Sequence, residues 1–311
     1  MSGTSRTVPD GGRGNEDDRP DIATEAFLAH RNLLFTVAYE MLGSAADAED
    51  VLQETWLRWV DVDLGTVRDQ RAYLVRITSR QALTRLRTLG RRKESYVGSW
   101  LPEPLLTTPD VAEDVELADS VSMAMLLVLE TLKPVERAVF VLREVFDFGY
   151  GEIAEAVDKS PATVRQIAHR AREHVAARRP RGVVSATETR DVLRAFQRAV
   201  ETGDVQGLLD ILAPDVVLIG DGGGIKQAAP RPVVGADKVA RLLGAGLGRL
   251  AARLSLRPAQ VNGHPALVFR LDGELDSVVA VRVEDGRITG LYAVRNPEKL
   301  VRMERETALS R

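Results

Sequence analysis

A chain of 311 residues, 44% hydrophobic and 28% charged, is long enough for two or three domains and has the composition of an ordinary soluble protein. The absence of cysteine excludes disulfides, thiol redox switching and cysteine-ligated zinc, and the four histidines (His30, His169, His174, His264) have no metal-ligand spacing. With no run approaching a membrane span and no apolar N-terminal segment, the expectation is a cytoplasmic protein with no membrane partner and no cofactor.

The net charge of −3 averages over blocks of opposite sign. Arg68 to Lys93 holds nine basic residues and one acid, a net of +8. Glu94 to Asp119 holds seven acids and no base. Lys159 to Arg181 returns to seven basic residues against Glu173. Two basic blocks flanking an acidic one point to a nucleic-acid partner.

In chain order, residues 1–21 are rich in glycine and proline and read as a disordered tail. A domain over 22–95 follows. Phe27, Leu33, Leu34, Val37, Ala38 and Met41 give it a first helix, which Gly43 stops. Ser44 then opens a second helix, with Val51, Leu52, Thr55 and Trp56 inward. A third runs from about Arg71 to Arg87, with Leu74, Ile77, Ala82, Leu83 and Leu86 inward. Pro102, Pro104 and Pro109, together with Gly98, argue against regular structure and make 96–119 an acidic linker. Trp100 is out of place in such a tether unless it packs on something. Helices resume over 120–180. Beyond that, 181–311 changes to two helices followed by strands at Val216–Ile219, Ala266–Leu271, Ser277–Val283 and Ile288–Val294, the last two joined by a hairpin turn over Glu284-Asp285-Gly286-Arg287.

Within the second helical domain, Tyr150 to Arg172 reads as a helix-turn-helix. A short helix ends at Asp158-Lys159, Ser160 is an N-cap, and Pro161 occupies a first-turn position that needs no amide donor. Val164, Ile167, Ala168, Ala171 and Val175 form one stripe. Thr163, Arg165, Gln166, His169, Arg170 and Arg172 lie off it, donors suited to base edges and phosphates in a major groove. The plainer alternative is a helical hairpin with a solvated basic face.

Taken together, Asp47-Ala-Glu-Asp50 with Gln53-Glu-Thr55, the helix Arg71-Ala-Tyr73 through Arg87, and residues 134–175 resemble the extracytoplasmic-function sigma factors of RNA polymerase. The resemblance implies a core-polymerase docking face at Asp47, Asp50, Gln53 and Glu54. It also implies a −10 promoter surface at Arg76, Arg80, Thr84, Arg85 and Arg87, where phosphate neutralisation and stacking hold an opened strand. The −35 surface falls on the second helix of the helix-turn-helix. Many members carry Asn and Asp where this chain has Arg80 and Thr84.

Three further segments, Tyr96 to Pro104, Asp221-Gly222-Gly223-Gly224 and Asn296-Pro297-Glu298-Lys299-Leu300, resemble hallmarks of a subgroup with a SnoaL-like domain after region four. The implied fold is two all-α sigma domains followed by a cone-shaped α+β domain of the NTF2-like type. Its implied role is a fused regulator, with Trp100, Pro102 and the glycine and Asn-Pro-Glu-Lys-Leu motifs as interdomain contacts. In the family a lysine follows the third glycine directly; here Ile225 precedes Lys226.

The function expected is a sigma factor, not an enzyme, whose partners are core polymerase and promoter DNA, with a small molecule a possible ligand of the C-terminal domain. Two alternatives stay open: a helix-turn-helix regulator with a ligand-binding domain, and an isomerase- or cyclase-like enzyme with a DNA-binding appendage. For the latter, Asp215, Asp221, Asp272, Glu274 and His264 are the ionisable candidates.

Overall fold

The computed structural model describes residues 19–179, 186–247 and 251–311. The tail expected over 1–21 lies outside them up to residue 18, and a helix already begins at Arg19.

Three helices form the first unit: α1 (Arg19–Leu42), α2 (Ala45–Trp59) and α3 (Gln70–Glu94). Gly43, at φ +68°, ends α1 by donating its amide back to the Tyr39 carbonyl (2.7 Å). The Ser44 hydroxyl then caps α2 by accepting from the Asp47 amide (3.2 Å). Trp59 is fully buried, and its indole N–H donates to the Ala23 carbonyl (2.8 Å), stapling α2 to the start of α1. Burying one such ring stabilises the unit by about 1.5–3 kcal/mol.

The segment expected as an irregular tether is packed. It contains α4 (Pro109–Glu113) and α5 (Val115–Val121), and Leu101 to Leu105 are buried without interruption. The prolines that argued for a loop make this possible. The Leu101 amide donates to Asp221, the Glu103 amide to the Gly43 carbonyl, the Leu105 amide to Asn262 and the Thr107 amide to the Gln260 carbonyl. Between the first three of these donors, Pro102 and Pro104 have no N–H to satisfy. The stretch is a buried extended segment, bridged to Val261 and Thr307 only at Leu106 and Thr107, whose donors find acceptors on separate parts of the molecule.

Then come α6 (Met123–Leu129), α7 (Pro134–Phe140) with a wide turn over Val141–Val145, α8 (Tyr150–Val157) and α9 (Pro161–Ala176). All nine helices, with Leu309 from the C-terminal tail, share one apolar core.

The C-terminal domain comprises α10 (Ala186–Thr202), α11 (Val205–Ile211), β1 (Leu212–Asp221), β2 (Val233–Val234), α12 (Ala236–Leu247), β3 (Leu254–Val261), β4 (His264–Leu271), β5 (Glu274–Glu284), β6 (Arg287–Val294) and the short α13 (Pro297–Leu300). Its sheet has the order β2-β1-β6-β5-β4-β3, antiparallel except for the β1–β6 pair, so the expected α+β class is what is found. Asn262-Gly263, Asp272-Gly273 and Asp285-Gly286 make the hairpin turns, both residues of each at positive φ. The strand reading omitted β3 because Pro258 interrupts its pattern; it is the edge strand, where a proline is tolerated.

The two faces of the sheet have different neighbours. One packs Leu218, Leu267, Phe269, Val279 and Leu291 against the helices of its own domain. The other packs Val261, Val268, Val278, Tyr292 and Val294 against Leu101, Leu106 and Met123 of the helical half.

Candidate nucleic-acid interface and the surfaces around it

In α9 the Ser160 hydroxyl accepts from the Thr163 amide (3.2 Å), and Asp158, at φ +55°, turns the chain between α8 and α9. Val164, Ile167, Ala168, Ala171 and Val175 face the core, which leaves Arg165, Gln166, His169, Arg170 and Arg172 exposed and Thr163 half-buried. Their tethers are loose. The His169 ring is 3.6 Å from Glu173, Arg172 is 3.8 Å from Glu144, and Arg165 lies 5.6 Å from the Tyr150 ring centroid. The face is open to solvent.

The basic residues of α3 are partly engaged, although Arg80, Thr84 and Arg87 are exposed. Arg76 pairs with the Glu155 carboxylate (2.7 Å) and Arg80 donates to the Glu155 carbonyl (2.7 Å), both on α8. Arg71 lies over the Phe148 ring, and the Thr84 hydroxyl donates to the Arg80 carbonyl of its own helix (2.9 Å). Tyr73 packs tilted on Trp59 at 5.8 Å and beneath Arg76 at 4.6 Å. Arg85 turns to α2, where it meets Asp47 (2.6 Å), Asp50 and Glu54 (3.7 Å). Arg87 is exposed.

The three motifs of the linker and C-terminal domain converge on one carboxylate. Asp221 has no exposed side-chain surface. Its Oδ1 accepts from the Tyr96 hydroxyl (2.6 Å) and the Gly223 amide (3.1 Å), and its Oδ2 from the Leu101 amide (2.9 Å) and Lys299 Nζ (2.7 Å). Lys299 also donates to the Leu101 carbonyl (2.6 Å), and Asn296 Nδ2 to the Tyr96 hydroxyl (2.9 Å). Burial pulls the Lys299 amine below its usual range, with Asp221 opposing. The Trp100 ring has Lys93 Nζ 3.5 Å and Lys299 Nζ 4.4 Å from its centroid, two cations on one π-system.

Lys93 in turn pairs with Glu130, and Glu130 with the buried Arg137. Burial lowers the Lys93 amine to about 8 despite Glu130. Burial works against ionisation of Glu130, but Arg137 and Lys93 outweigh it and hold the carboxyl below its usual range. Two glycines are required here by contact. A Cβ on Gly222 would fall 1.9 Å from the Lys226 carbonyl oxygen, and one on Gly223 would fall 2.3 Å from Asn296 Nδ2.

Comparison with known proteins follows the same outline. Residues 26–92 match the family model "Sigma-70 region 2" and residues 122–175 match "Sigma-70, region 4". The "ECF RNA polymerase sigma factor SigJ" of Mycobacterium tuberculosis is 36% identical over 288 residues, 88% of this chain and 91% of that one. The "Probable ECF RNA polymerase sigma factor SigI" of the same species is 34% identical over 283 residues, 90% of this chain and 95% of that one. The crystal structure of Mycobacterium tuberculosis SigJ superposes with a TM-score of 0.72 at 34% identity, covering 89% of this chain and 98% of that one. The chain belongs to the ECF RNA polymerase sigma factors.

In this sigma factor the region 4 residues stand together on one face of α9, while the region 2 residues separate. Arg76 and Arg80 contact α8, Thr84 and Arg87 are exposed, and Arg85 lies with Asp47, Asp50 and Glu54; Gln53 is exposed on α2. Of the interdomain set, Asp221, Gly222, Pro102, Asn296 and Leu300 are buried, Gly223, Trp100 and Lys299 are half-buried, and Gly224 packs against Val97. Pro297 and Glu298 are exposed and serve the start of α13. Lys226 pairs with Asp276 (3.1 Å), which Arg295 also holds (3.0 Å), so its bond stays inside the C-terminal domain.

Sequence reasoning missed a second junction. Asn262, at the β3–β4 turn, is 1% exposed. Its Nδ2 donates to the Tyr39 hydroxyl (2.7 Å) and the Val121 carbonyl (2.8 Å), and its Oδ1 accepts from the Leu105 amide (3.0 Å). A Cβ on the neighbouring Gly263 would fall 2.7 Å from Ala118 Cα. Close by, Glu40 gives one oxygen to the Ser120 hydroxyl (2.8 Å) and has no partner for the other, and burial pushes its carboxyl up to about 8. Among the described residues no helix is long and apolar enough to cross a membrane, and no acidic or histidine cluster could hold a metal.

Proposed function

We propose that this sigma factor is held shut by its own C-terminal domain and, once opened, reads the −35 element with α9 and the −10 strand with α3. The observation that carries the reading is Asp221. One buried carboxylate binds the linker at Tyr96 and Leu101 and binds Lys299, so the linker cannot leave without breaking its bonds to the C-terminal domain. Region 2 docking on core polymerase falls to Asp50, Gln53 and Glu54 of α2, with Asp47 behind them.

The C-terminal domain acts as a regulator and not as an enzyme. The side chains packed between its sheet and helices are mainly aliphatic or aromatic, with Thr189 and Gln197 the polar groups on α10. The ionisable candidates lie elsewhere: Asp215, Asp272 and Glu274 are exposed, while Asp221 and His264 face the linker and the Ala118 carbonyl. A small molecule bound on that inner face would have to be apolar.

Run-off transcription with core polymerase tests the reading. The full chain should initiate weakly from promoters that core alone ignores, and Lys299→Met should initiate more strongly. No initiation by either form, with both folded, would remove the assignment of function; equal initiation would remove the regulatory role of the C-terminal domain.

A further inference from the structure

The basic residues of α3 do not share one face. At 3.6 residues per turn, Arg80 and Arg87 fall within about 40° of Arg76 around the helix, whereas Arg85 falls about 180° away. Arg76 and Arg80 accordingly meet α8, while Arg85 crosses to α2. Each of its three nitrogens faces a different carboxylate: Nε meets Asp47 (2.6 Å), Nη2 meets Asp50 and Nη1 is 3.7 Å from Glu54. The three acids stand at i, i+3 and i+7 on one helix, where like charges repel and long carboxylates would otherwise splay.

Exposure then separates the acids by role. The Asp47 side chain is 13% exposed, whereas Asp50 is 53% and Glu54 44% exposed. We propose that Arg85 is a positioning residue for polymerase docking: anchored on Asp47, its guanidinium fork holds Asp50 and Glu54 in the arrangement that core polymerase binds. A lysine has one charge point where arginine has a planar fork, so it could hold one acid but not the set. The assignment rests on the docking face proposed above and takes Arg85 out of the −10 surface.

The test measures two affinities of the full chain: for core polymerase without DNA, and, at saturating sigma factor, of the holoenzyme for a single-stranded −10 oligonucleotide. Arg85→Met should weaken core binding about tenfold, and Arg85→Lys by a smaller factor. Asp47→Asn, which removes the anchor and leaves the exposed acids in place, should follow Arg85→Met. The oligonucleotide affinity of the saturated holoenzyme should stay at the wild-type value. Arg85→Lys keeps the charge and most of the volume, so a folding defect confined to Arg85→Met is recognised by its melting curve.

Core affinity within twofold of wild type in both Arg85 variants overturns the proposal, and a selective loss of oligonucleotide binding would make Arg85 a DNA contact. Tighter core binding would overturn it too, showing that Arg85 masks the acids. Asp50→Asn and Glu54→Gln separate the two levels. If they weaken core binding and the Arg85 variants do not, the face stands and the role of Arg85 fails. If none of them matters, the docking face itself is misplaced.

Discussion

The basic surfaces of α9 and α3 both rest on arginines and differ in how those arginines are held. On α9 the charged groups point to solvent with only loose contacts to Glu144, Glu173 and Tyr150. On α3, Arg76 and Arg80 are joined to the residue 155 carboxylate and carbonyl at hydrogen-bond distance. Under the function proposed above, a single strand on α3 has to displace the Glu155 contacts, whereas α9 has only loose contacts to give up.

The strongest way to break that contrast is to remove the closure. Asp221→Asn leaves Lys299 buried beside Trp100 without its counter-charge, and stripping one partner from a buried pair costs about 3–5 kcal/mol. Chemical denaturation should show a loss of that order, and binding of a −10 oligonucleotide by the free protein should rise. Asn262→Ala comes next. It leaves the Leu105 amide and the Val121 carbonyl without side-chain partners, for about 2–3 kcal/mol in the same measurement.

A third experiment uses pH. Glu40, raised to about 8 in the closed molecule, is protonated there and ionises when exposed, so closure binds the proton. Its contribution is fully present below the ordinary carboxylate range and declines as pH rises towards 8. Melting temperature against pH should lose part of its slope between about 5 and 8 in Glu40→Gln. Lys93 acts in the next window. Its amine is lowered to about 8, which favours closure increasingly above that pH, where Glu40 no longer contributes. The smallest effect belongs to Glu155→Gln. Its ion pair with Arg76 is largely exposed and worth at most about 1 kcal/mol, so oligonucleotide binding by the free protein should improve only a few-fold. If α9 rather than α3 gained affinity, the contrast drawn above would be reversed.

What could be read beforehand follows the range of the interactions. Ser160, Pro161 and the apolar stripe of α9 act within a few residues, so the helix-turn-helix was legible. Gly222 to Gly224 and Asn296 to Leu300 stood out as irregular motifs, although not as ligands of one carboxylate. Asn262-Gly263 signals a turn, and nothing local says that its tip is buried against Tyr39, a residue 223 positions away. Pro102 and Pro104 were misleading for the same reason. They exclude a ladder within the segment itself, but Asp221, Gly43 and Asn262 supply the acceptors from elsewhere.

That extended segment has a consequence for how the molecule opens. A hairpin can unzip from one end, because each bond broken exposes only the next. The amides of Leu101, Glu103, Leu105 and Thr107 are held by the Asp221 carboxylate, the Gly43 carbonyl, the Asn262 side chain and the Gln260 carbonyl. Withdrawing any one of these amides leaves its buried acceptor without that donor, at about 1–3 kcal/mol each. Under the function proposed above, release of the segment therefore has no ladder to run along, and each contact is given up against a different part of the molecule. A binding partner that favours the open form would have to bind it more tightly than the closed form by enough to offset the sum of these separate contacts.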